Sequence, residues 1–132
     1  MSASLQLLVD TLESAANAAP DIYELAFNRY FELCPASKEL LQHSDELMRG
    51  RMMEQVMGLL MDESAADLET YFKFEVSNHE GYGAAPSMYQ HLFMACKEVT
   101  QDNCGDAWSA SANDTWDQQI GLLLELIQKY SS

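Results

Sequence analysis

The order of apolar and polar residues along this chain predicts a series of amphipathic helices. Apolar side chains recur at intervals of three and four residues, a spacing that places them on one face of an α-helix. Proline residues and a glycine-containing segment separate these stretches, because proline interrupts a helix and glycine commonly ends one. The pattern predicts helices over about 3–17, 22–33 with Asp21 as its N-cap, 35–41, 45–60, 68–79, 86–100 and 112–129.

One segment also fits the pattern of a β-strand. Phe72, Phe74 and Val76 alternate with polar residues, as in a half-buried strand. No other part of the sequence has a strand or hairpin pattern, so we favour a helix there. The sequence therefore predicts an all-α protein with about seven helices, packed as a single domain over residues 1–132.

The fourth predicted helix is rich in methionine. Arg49, Glu54 and Gln55 lie off its apolar face. Because methionine fills irregular spaces, this face could be ordinary core or the wall of a ligand pocket. The residues predicted to form it are Met48, Met52, Val56, Leu59 and Leu60.

The composition restricts the possible partners. The 132 residues include 7 Lys plus Arg and 21 Asp plus Glu, a formal charge of −14. This charge opposes binding to nucleic acid or anionic membranes, and it could orient a basic redox partner. The sequence contains no apolar run of the roughly 20 residues that a membrane helix needs and no signal-peptide pattern, so we expect a cytoplasmic protein. Three cysteines without a CxxC pair favour reduced thiols.

His79 is the main candidate for chemistry. It ends an apolar helix, immediately before the segment Gly81-Tyr82-Gly83. A neutral imidazole offers one lone pair to a metal, while its other nitrogen needs a hydrogen-bond acceptor. The unpaired carbonyls at a helix C-terminus can supply that acceptor. His79 is therefore a candidate metal ligand.

The segment that begins at His79 resembles the proximal histidine region of globins. Bacterial haemoglobins and globin sensors show the pattern His-x-x-Tyr-Gly-x-x-Pro-x-x-Tyr, and this chain reads His79-Glu80-Gly81-Tyr82-Gly83-Ala84-Ala85-Pro86-Ser87-Met88-Tyr89. A second stretch, 29–41, is similar to the family region where an aromatic-rich helix ends at a proline and a short helix crosses the haem. The helix over 48–60 is similar to the distal helix, and the helix with Trp116 and Gly121 to the last one. The resemblance covers about residues 5–129 and implies a globin-like fold around haem b.

The resemblance implies roles for particular residues. His79 is the expected axial ligand of the haem iron, with Tyr89 beside the proximal pocket and Tyr82 in contact with the cofactor. Arg51 corresponds to a cation near a haem propionate at the rim of the cleft. The counterparts of the distal residues are Phe27, Leu41, Met48 and Met52.

Three of these distal residues depart from the usual pattern of the family. Leu41 replaces a phenylalanine, Met48 replaces histidine or glutamine, and Phe27 replaces a tyrosine found in many bacterial members. Bound O2 carries partial negative charge, and neither a thioether nor a phenyl ring donates a hydrogen bond to it. The replacements imply weak preference for O2 over CO and NO and fast autoxidation. Alternatively, the Met48 sulfur occupies the sixth position of the iron.

The expected function is that of a haem-binding globin that reversibly binds a diatomic gas, O2, CO or NO. One alternative is a haem-less globin-fold module for binding or signalling. Another is a His/Met-ligated electron-transfer or NO-detoxifying haem protein. Activity as a nitric oxide dioxygenase or peroxidase ranks lower, because the chain has no dinucleotide-binding glycine pattern and no distal acid or base at the assigned position. The sequence leaves transport, sensing and electron transfer open, and it gives no oligomeric state.

Overall fold

The computed structural model describes residues 2–81 and 86–131, in which the regular structure is helical, short turns join the helices and no β-strand occurs. None of these helices is both long enough and apolar enough to cross a membrane. The all-α class and the number of helices are as predicted. The helices are α1 (Ala3–Ala18), α2 (Ile22–Leu33), α3 (Pro35–Leu40), α4 (Glu46–Leu60), α5 (Ala65–Gly81), α6 (Pro86–Asn103) and α7 (Ala110–Tyr130), with a short 3-10 helix at Gly105–Ala107.

Local sequence signals explain where several helices begin. Ser2, Asp45 and Ser109 precede α1, α4 and α7, and each side chain accepts a hydrogen bond from a backbone N–H three residues further on. Pro35 occupies the first turn of α3, where its missing N–H costs no hydrogen bond. Asp21 precedes α2 as predicted, but its side chain makes no capping hydrogen bond.

The ambiguous aromatic segment is helical and belongs to α5. Phe72 and Val76 are both 1% exposed, whereas Phe74 is 67% exposed. A strand would place all three side chains on one face, while a helix places residues four apart together and the intervening one elsewhere. The burial pattern is therefore that of a helix, and α5 begins at Ala65, three residues before the predicted start.

The core forms where α1, α2, α6 and α7 pack together. The largest fully buried side chains include Trp116, Phe72 and Phe93. The most extensive helix contacts join α2 to α6 and α1 to α6, followed by α5 to α7 and α1 to α7. The consecutive helices α4 and α5 are not among the closely packed pairs.

The buried face of α4 differs from the prediction. Met53, Met57 and Leu60 are 0–3% exposed, whereas Met48 is 52% exposed and Met52 is half-buried. The prediction is confirmed for Leu60, and Met52, Val56 and Leu59 are half-buried against the core, but Met53 and Met57 take the fully buried positions and Met48 does not. Methionines at neighbouring positions allow more than one apolar stripe, and periodicity does not choose between them. Packing against α6 makes the choice, since the Cys96 thiol lies 3.6 Å from the Met53 sulfur. Burial raises the pKa of Cys96 to about 12, which keeps this thiol protonated at neutral pH.

Two polar side chains of α7 connect it to other helices. The indole N–H of Trp116 donates to the hydroxyl oxygen of Thr11 at 2.9 Å in the buried core. The Thr11 hydroxyl in turn donates to backbone carbonyls of α1. The Gln119 amide donates to the carbonyls of Leu59 and Asp62 at 3.1 and 2.8 Å, which satisfies acceptors exposed at the end of α4.

Candidate functional site

His79 lies near the C-terminus of α5 and is held by the backbone of its own helix. Its Nδ1 is 2.7 Å from the carbonyl oxygen of Glu75, one turn earlier. A carbonyl only accepts hydrogen bonds, so Nδ1 carries the proton in this contact, and in the neutral imidazole Nε2 is then the nitrogen with the free lone pair. The side chain is 39% exposed, so the ring is accessible from one side. His79 therefore presents a basic nitrogen in a fixed orientation.

Tyr89 packs against this imidazole from α6. The two ring centroids are 6.1 Å apart and the ring planes meet at 87°, an edge-to-face contact. On its other side Tyr89 lies 6.5 Å from Phe93, which is buried in the core. The structure thus brings together two residues predicted to lie on one side of a cofactor, and it connects them to the packed interior.

Two other half-buried side chains of α5 lie on the same side of the helix as His79, one turn and two turns before it. Glu75 is four residues earlier and Tyr71 four residues earlier again, which places all three along one side of the helix. The nearest carboxylate oxygen of Glu75 is 3.9 Å from Nδ1 of His79. Burial, with a smaller contribution from the charge of Glu75, raises the pKa of Tyr71 to about 12. The Tyr71 phenol is therefore neutral under physiological conditions.

A cleft of about 760 Å³ lies between α2, α3 and the first turns of α4. Phe27, which is 4% exposed, and the half-buried Leu41 both line it, together with Tyr23 and Phe31. These are two of the residues predicted for the distal side. The structure thus places Phe27 and Leu41 against the same space, and their role beside a haem stays a prediction.

Arg49 lines this cleft from α4, together with Glu46 and Gly50, and it was not among the residues predicted for the site. Its guanidinium donates to the carbonyl oxygen of Ser44 at 2.8 Å and to the Ser44 hydroxyl at 3.3 Å. Arg49 lies one turn before Met53 and therefore on the same side of α4. Choosing Met53 instead of Met52 as the centre of the buried face would have placed Arg49 on the cleft side of the helix. The cleft therefore contains a fixed cationic hydrogen-bond donor.

Met48, Met52 and Arg51 line a shallow depression on the other side of α4. Met48 and Arg51 are exposed, and Met52 is half-buried. The role of Arg51 beside a propionate stays a prediction. Tyr82, also predicted to contact the cofactor, lies outside the described residues. Within the described part of the chain, no cluster of three or more His, Cys, Asp or Glu side chains could hold a metal ion.

The sequence matches no protein-family model, and no curated protein shows significant similarity to it.

Proposed function

We propose that this protein is a haem-binding globin that reversibly binds a diatomic gas. The observation that carries the proposal is that His79 combines a 2.7 Å hydrogen bond from Nδ1 to the Glu75 carbonyl with an edge-to-face contact to Tyr89. Histidines that bind metals commonly donate the proton of their second nitrogen to such an acceptor, because this bond fixes both the tautomer and the ring orientation. The bond leaves Nε2 of His79 as the nitrogen that would bind the haem iron.

The surroundings of His79 fit a large planar apolar cofactor. The helices α4 and α5 share few close backbone contacts, and half-buried apolar side chains lie on α4, α5 and α6. Met52 and Val56 belong to α4, Tyr71 to α5 and Tyr89 to α6, and all four pack against the core. When bound, haem supplies the iron to which O2, CO or NO binds, and these side chains would hold it and exclude water.

The position of Arg49 changes the expected gas preference. The sequence implies a distal side without a hydrogen-bond donor, but Arg49 lines the cleft with Phe27 and Leu41. A guanidinium donates charge-assisted hydrogen bonds, which favour a ligand with partial negative charge. Met48 is 52% exposed, so its placement gives no support to a methionine as the sixth ligand. Lys38 and the carboxylates of Asp21, Glu24 and Glu46 also line the cleft, so the proposed distal side combines the apolar Phe27 and Leu41 with charged side chains, among which Arg49 is the one held by hydrogen bonds to Ser44.

The visible spectrum of the purified protein tests this proposal. We expect protein expressed with a haem precursor to show a strong haem band that shifts when the reduced form is exposed to CO. Resonance Raman of the reduced form should detect an iron–histidine stretch, since the proposed ligand is neutral imidazole. Protein that stays colourless after reconstitution with haem would contradict the proposal and favour the haem-less module.

Replacing Arg49 with leucine is expected to speed the dissociation of O2 by roughly tenfold, the effect of losing one charge-assisted hydrogen bond. Dissociation of CO should change much less, because CO carries less negative charge when bound. Stopped-flow measurements with both gases check this difference. The variant Met48→Leu, altered at the neighbouring exposed position, is the control and should behave like the wild type. Equal effects on O2 and CO would exclude Arg49 as a donor to the ligand.

A further inference from the structure

The outer face of α4 exposes a stripe of residues away from the buried face, and the stripe includes Arg51, the residue predicted to lie near a haem propionate. Leu47 is 65% exposed, which makes it one of the most exposed large apolar side chains of the described residues. Arg51, Glu54 and Gly58 are exposed as well, and intervals of four, three and four residues align all four along one side of the helix. We call these four residues the α4 stripe. Met53, Met57 and Leu60 point the other way into the core, so the stripe is separate from the buried face.

The α4 stripe forms a ridge between two shallow depressions. Leu47 and Arg51 line both of them. Tyr23 and Gly50 contribute to the depression on one side, and Met52 contributes to the depression on the other. Helices pack when the ridge of one fits the groove beside a ridge of another. A surface with a ridge and adjacent grooves has the shape that another helix of the same kind can fit.

Two copies of the α4 stripe are complementary to each other when the two helices run in opposite directions. Around the midpoint between Met52 and Met53, Leu47 is the counterpart of Gly58, and Arg51 is the counterpart of Glu54. A Cβ built on Gly58 has no neighbour within 4 Å, so the surface above it has room for a leucine side chain. Neither Arg51 nor Glu54 forms a salt bridge with another described residue, so both charges are available to a partner.

We infer that the α4 stripe docks a second copy of this chain, with the two α4 helices antiparallel about a twofold axis. In this arrangement Leu47 of each copy covers Gly58 of the other, and Arg51 of each copy pairs with Glu54 of the other. Twofold interfaces require such self-complementarity, since each residue meets its counterpart twice. The inference does not depend on haem, because it uses the face of α4 opposite to the core.

The charge of the chain determines how such a dimer responds to salt. Each copy carries a formal charge of −14, so two copies repel each other at long range. The repulsion acts over more than a Debye length, so salt screens it strongly. Salt weakens the ion pairs in close contact less. One helix face buries a small area, which is typical of weak and transient association. We therefore expect a weak dimer that strengthens as NaCl is raised from low to physiological concentration.

Sedimentation equilibrium with charge-swapped variants tests the inference. The wild type should show concentration-dependent dimerisation, and Arg51→Glu or Glu54→Arg alone should weaken it by about tenfold or more. An equimolar mixture of these two variants should form a heterodimer, because one face is then acidic and the other basic. The double variant Arg51→Glu with Glu54→Arg should dimerise again. Glu54→Arg lowers the net charge from −14 to −12, so repulsion between whole molecules alone predicts the opposite effect for this variant.

The variant Gly58→Gln supplies a second measurement. The glutamine side chain fills the space assigned to Leu47 of the other copy. Because glutamine favours helix more than glycine does, the monomer should stay folded. Loss of dimerisation in this variant supports the inference. A wild type that stays monomeric at millimolar concentration, or dimerisation that none of these substitutions changes, would overturn it. The double variant also separates the two roles considered for Arg51. A glutamate at position 51 cannot pair with a haem propionate, so restored dimerisation in this variant reports on the contact between the two copies.

Discussion

Replacing His79 with alanine is expected to lower the haem content of the purified protein by roughly 100-fold or more. Second-shell partners of metal ligands already account for about 10- to 100-fold in affinity, and this substitution removes the proposed ligand itself. The helix should stay intact, because alanine favours helix and His79 lies near the C-terminus of α5. The haem-to-protein absorbance ratio after reconstitution measures the loss, and far-UV circular dichroism verifies the helical content.

His91 provides a closely matched control. Its Nδ1 lies 2.8 Å from the carbonyl oxygen of Ser87, which is the same one-turn hydrogen bond that His79 makes. It belongs to α6 and lies two residues beyond Tyr89, so it points away from the pocket side of that helix. His91→Ala should retain haem at the level of the wild type. Equal loss in the two variants would mean that His79 is not the specific ligand.

Added imidazole gives a test that separates ligation from structure. In His79→Gly, imidazole in solution should restore part of the haem binding, because it can take the place of the removed side chain. Restoration in this variant, without an effect on His91→Ala, is the result that ligation requires. If His79→Gly keeps an unchanged haem spectrum without added imidazole, then His79 is not the axial ligand.

The second large effect is expected from Trp116→Ala, which should destabilise the protein by about 3–5 kcal/mol. Trp116 is fully buried at the centre of the core, where α1, α5 and α6 all pack on α7. The substitution creates a large cavity and leaves the Thr11 hydroxyl without the indole donor. Urea unfolding followed by circular dichroism gives the change in the free energy of unfolding.

Two further variants separate the cavity from the hydrogen bond. Trp108, whose ring centroid is 6.1 Å from that of Trp116, is only half-buried, so Trp108→Ala should cost clearly less. Thr11→Val keeps the volume but removes the acceptor of a buried N–H, which should cost about 1–3 kcal/mol. If Trp116→Ala is no more destabilising than Trp108→Ala, then Trp116 is not the centre of the core.

Much of the fold could be predicted from the sequence because its signals are local. Apolar spacing indicated each helix, Pro35 and Pro86 marked helix starts, and most boundaries agree with the structure within a few residues. The α5 segment was harder, since a short run with aromatic residues at alternate positions fits either period. Its assignment as a helix is confirmed by the opposite burial of Phe72 and Phe74.

The candidate site was predictable only in part. The sequence singled out His79 and Tyr89, and the structure places their rings in contact. The sequence also assigned Phe27 and Leu41 to the distal side of the expected pocket, and in the structure both line the same cleft. The sequence missed Arg49, because choosing the inner face of α4 required knowledge of what packs against that helix. Its neighbour Met48, chosen instead, is exposed.

The sequence by itself determined the helical class, the order of the helices and a histidine at a helix end, because these follow from hydrophobic spacing and from residue types at helix termini. The tertiary structure alone decided which methionines of α4 face inward and where Arg49 and the α4 stripe lie. The physical reason is that a helix with methionine at neighbouring positions has several apolar faces of similar hydrophobicity. Contacts with other helices, such as that between Met53 and Cys96, then determine its rotation about its axis.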